Sequence, residues 1–187
     1  MRPILLFLPL LAATASAQKY SVASGPSVDV VCWFTNERHG DDLAATALAV
    51  AEQARAETRS LLGLDEAEGE PAEGAPRTVV NVYENRRGVD GFAEAVEALE
   101  PGASTGVAAW NHPASHGVFV KLQPVANDFL LEKLGVPPVS LHHVAREGAL
   151  LEMTLAGADP TRAAGPAWLR GGLATWIADR TLVARGR

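Results

Sequence analysis

Cysteine is nearly absent from this chain of 187 residues: only Cys32 occurs, so no internal disulfide can form and no cysteine-based zinc finger can be built. Cys32 sits in the apolar run Val30-Val-Cys-Trp-Phe34 with no basic neighbour to lower its pKa, which reads as a buried, inert thiol. Aromatic residues are sparse at 6%, and basic residues are outnumbered, 16 Lys and Arg against 22 Asp and Glu. The resulting net charge of −6 gives no electrostatic basis for binding nucleic acid or anionic lipid. Long hydrophobic runs are also missing. The one apolar stretch near the start, Ile4 to Ala13, is too short to span a bilayer and contains Pro9.

That stretch has the form of a secretory signal instead. Arg2 supplies the positive start, and Ala15-Ser16-Ala17 supplies the small residues of a cleavage site. The expectation is a signal peptide over residues 1–17 and a mature protein from Gln18, secreted or periplasmic and free of the membrane. Residues 18–187 suffice for one domain with a real core.

Val28 to Thr35 is a β-branched and aromatic run, and predicts a strand. Asp41 and Asp42 open a helix to about Leu62, with Leu43, Ala44, Ala47, Leu48, Ala51, Ala54 and Leu61 at helical spacing and Gly63 as its stop. Residues 65–76 hold five acids among Gly, Ala and Pro, the composition of a solvated loop and not of a carboxylate metal site. Arg77 to Tyr83 predicts a strand. A short helix then places Phe92, Val96 and Leu99 on one face, and Pro101-Gly102 ends it. Thr105 to Leu122 reads as a hairpin around Asn111-His-Pro-Ala-Ser-His-Gly117. A helical piece over 127–134, a helix capped by Ser140 and running to about Ala156, and a last helix from Pro166 to about Val183 complete the order. This order fits an α+β domain with a small mixed sheet and a helical half behind it.

The last two helices carry the chemistry. Leu141-His-His-Val-Ala-Arg146 is followed by Pro166-Ala-Trp-Leu-Arg-Gly-Gly-Leu-Ala-Thr-Trp176. The pair resembles the active-site helices of gluzincin metallopeptidases, in which one helix reads H-E-x-x-H and a second supplies a glutamate ligand. In the peptidase-MA-like branch the second helix reads roughly P-x-W-L-x-E-G-L-A-x-Y. Pro166, Trp168, Leu169, Gly172, Leu173 and Ala174 match, and Trp176 takes the aromatic position. The resemblance implies a zincin-like fold, with the hairpin followed by two active-site-type helices. It also implies a degenerate centre: His142 stands at the first ligand, His143 at the catalytic glutamate, Arg146 at the second histidine and Gly171 at the ligand glutamate.

Three protein ligands and an open position are what a zinc hydrolase needs. Arg146 has no lone pair to donate and keeps its charge, Gly171 offers no ligand atom, and His143 has no metal-bound water to act on. His142 remains as a lone metal-ligand position. Glu147, Glu152 and Asp179 are the acids open to pairing with Arg146. The resemblance therefore implies a secreted, catalytically silent peptidase homologue without cofactor, able to hold an extended peptide or protein segment by strand addition. His112, His116 and Trp168 are candidates to line its cleft. Two alternatives stand beside this one. The first is an active zinc peptidase with an atypical ligand set, rebuilt with His112 or His116. The second is a structural fragment of a larger assembly, lacking a C-terminal portion. No serine-hydrolase elbow is present.

Overall fold

A computed structural model describes residues 20–33, 40–64, 76–122, 138–157 and 166–186. The expected signal segment and the helical piece over 127–134 lie outside the described residues. Five strands and four helices are described: β1 (Tyr20–Ser24), β2 (Val28–Trp33), α1 (Gly40–Leu61), β3 (Thr78–Tyr83), α2 (Asn85–Leu99), β4 (Ala109–His112), β5 (Gly117–Lys121), α3 (Pro138–Gly157) and α4 (Ala167–Ala184). A 3₁₀ turn, Pro113–Ser115, joins β4 to β5.

The strands form one mixed sheet in the order β1-β2-β3-β5-β4. β2, β3 and β5 run parallel, and the edge strands β1 and β4 pair antiparallel with their neighbours. The three inner strands send successive side chains to opposite faces of the sheet. Val28, Val30 and Cys32, Val80 and Val82, and Val118 and Val120 point to one face. There they meet α1, α3 and α4 in the main core. α1 contributes Leu43, Ala44, Ala47, Val50, Ala51 and Ala54, and small alanines let it lie close to the sheet. Leu61, at helical spacing in the sequence, is half exposed in the last turn. Gly63 follows with φ of 64°, the left-handed conformation that ends a helix at low cost in glycine. Cys32 is fully buried, and desolvation with nearby Glu84 pushes its thiol up to about 12.

The opposite face carries α2 and a smaller cluster of Tyr83, Phe92, Val96 and Phe119, with Trp33 and Trp110 packed against it. Phe92 and Val96 are buried as their spacing predicts, whereas Leu99 is 41% exposed. β1 is an element that the sequence pattern did not announce. Its hairpin with β2 is fixed by Glu52 of α1, whose Oε1 accepts hydrogen bonds from the Ser27 and Val28 amides at 2.9 Å each. Gly25 leaves room for that carboxylate: a Cβ there would lie 2.5 Å from the same oxygen, and the Glu52 side chain would have to shift. Arg77 then ties the hairpin to β3 with two bonds to Asp29, at 2.8 and 2.9 Å. No described helix is long and apolar enough to cross a membrane.

Candidate functional site

α3 begins at Pro138, two residues before the expected cap. A proline suits a first helical position because its missing N–H is one the helix would leave unpaired. Ser140 consequently lies inside the first turn and not at its cap. Its side chain is buried, and among the described residues its hydroxyl finds no hydrogen-bond partner. α4 starts at Ala167, immediately after Pro166, as the sequence indicates.

The apolar side of α3, with Leu141, Val144, Ala145 and Ala149, packs into the main core. That packing turns His142, His143 and Arg146 toward partial exposure. His142 Nε2 lies 3.2 Å from Asp179 Oδ1 on α4. A carboxylate can only accept, so this contact places the imidazole proton on Nε2. Asp179 is eight residues beyond Gly171, about 12 Å of helical rise at 1.5 Å per residue. An added Cβ at Gly171 would meet no heavy atom within 4 Å, so the position opens onto space. No contact between Gly171 and either His142 or Arg146 is found among the described residues.

Each of the three acids open to Arg146 has a distinct partner. Arg146 Nη1 pairs with Glu147 Oε1. Asp179 is taken by His142, and Glu152 is taken by Arg55 and Arg59 of α1, at 2.9 and 3.5 Å. Glu147 is buried, and its second oxygen accepts from Asn111 Nδ2 of edge strand β4 at 2.6 Å. A buried carboxylate is costly unless its oxygens are occupied, and here both are. His143 is held below its ordinary value of 6.5, first by desolvation, then by neighbouring His142 and Arg146, with Glu147 acting against them.

β4 explains why the loop histidines are elsewhere. Successive strand side chains alternate, so Ala109 and Asn111 face α3, and Trp110 and His112 face the α2 side. His112 stacks on Trp110 with ring centroids 5.2 Å apart, and its Nδ1 lies 2.9 Å from Ser115 Oγ. His116 closes the 3₁₀ turn in the left-handed conformation, φ 51°. Trp168 stands 76% exposed in the first turn of α4.

The structure thus brings together His142 with Asp179, His143 beside His142, and Arg146 with Glu147 and Asn111. Asn111 was not legible as a site residue, because its role depends on the β4 register and on nothing local. Among the described residues no three His, Cys, Asp or Glu side chains converge as metal ligands. The arrangement can hold and orient charge; its donor set does not fit zinc. In comparisons with known proteins, no family model, no curated protein and no solved structure matches the chain.

Proposed function

We propose that this protein is a catalytically silent relative of the peptidase-MA-like gluzincins that holds an extended peptide segment between the outer edge of β4 and the first turns of α3. One observation carries the reading: the Asn111–Glu147 bond fastens the edge strand to the helix that bears the degenerate motif. β4 ends the sheet, and among the described residues its outer backbone edge pairs with no other strand. An unpaired edge is a template for strand addition, with main-chain hydrogen bonds giving affinity and neighbouring side chains giving selectivity. The groups beside it support binding and not hydrolysis. Arg146 stands four residues after His142, where the motif would have a second imidazole, and a guanidinium repels a divalent cation from that space. The reading places the mature protein, from Gln18 onward, outside the cytoplasm.

The zinc-peptidase alternative draws on the His142–Asp179 contact, two ligand-type groups 3.2 Å apart. Two groups fall short of the three that a hydrolytic site uses.

Amide hydrogen exchange tests the binding reading. A peptide selected from a random library on the immobilised protein is expected to slow exchange at Ala109–His112, with no cleavage of the peptide on prolonged incubation with added zinc. Protection confined to other strands, or cleavage, contradicts it.

A further inference from the structure

We draw no further inference here: the strongest candidate, the outer face of α4 with Trp168, Leu169, Trp176 and Val183 exposed, is an unpartnered apolar helix face, and nothing in the structure shows what covers it.

Discussion

His143 shows how a single side chain reports on this site. Burial disfavours its charged form, His142 and Arg146 add to that, and only Glu147 opposes. The unfolded chain takes up this proton near 6.5, and the folded protein only at lower pH. Between those two points the unfolded state binds more protons, so stability falls as pH drops through that window and is fully retained above it. A titration followed by imidazole NMR is expected to put the His143 midpoint below 6.5. The urea midpoint is expected to fall more between pH 7.5 and 5.5 for the parent protein than for His143→Gln. An equal fall in both removes His143 as a cause. Asn111 makes a different point at the same scale. A lone asparagine in a loop-like stretch carries no signal, whereas a histidine directly before a proline attracts notice. The strand alternation decided between them, turning Asn111 to α3 and His112 away.

At the scale of elements, α4 is apolar nearly all round, and only its packing separates the two faces. Ala174, Ile177, Ala178 and Leu182 are buried, and Trp168, Leu169, Trp176 and Val183 are exposed. Arg180 covers part of the outer face, its guanidinium 5.3 Å from the Trp176 ring. Ile177→Ala removes a fully buried side chain and is expected to cost about 2–5 kcal/mol, whereas Trp168→Ala is expected to stay within about 0.5 kcal/mol of the parent. Urea unfolding of both variants checks this; comparable losses would mean that the Trp168 face is covered. The same contrast marks what the sequence could convey. β2, β3 and β5 were legible because valines repeat at period two on strands with two covered faces. β1, with the sequence Tyr-Ser-Val-Ala-Ser, has a single β-branched residue, and it depends on Glu52 and β2 for its place. The α3 start moved to Pro138 because the helix could use a proline in its first turn, which left Ser140 in the core and not at a cap.

For the whole molecule, the sheet separates two chemistries. The α3 face carries the charged cluster of His142, His143, Arg146, Glu147 and Asp179, and the α2 face carries an aromatic layer that includes Trp110 and His112. The account's central claim is that the first of these is a metal-free binding surface, because the guanidinium of Arg146 stands one helical turn from His142 where a second imidazole would be needed. Elemental analysis after exhaustive dialysis against zinc-free buffer tests it most directly, on the parent protein, on Arg146→His alone and on His143→Glu with Arg146→His and Gly171→Glu. Arg146→His provides a second imidazole one turn from His142, with Asp179 already 3.2 Å from the first. The triple variant adds a carboxylate at position 171 as well. The account predicts no stoichiometric zinc in the parent, and no gain from the added glutamate at position 171, which lies about 12 Å of helical rise from Asp179. Retention by Arg146→His alone would identify Asp179 as the carboxylate that completes the set. One equivalent of tightly held zinc in the parent protein would contradict the claim.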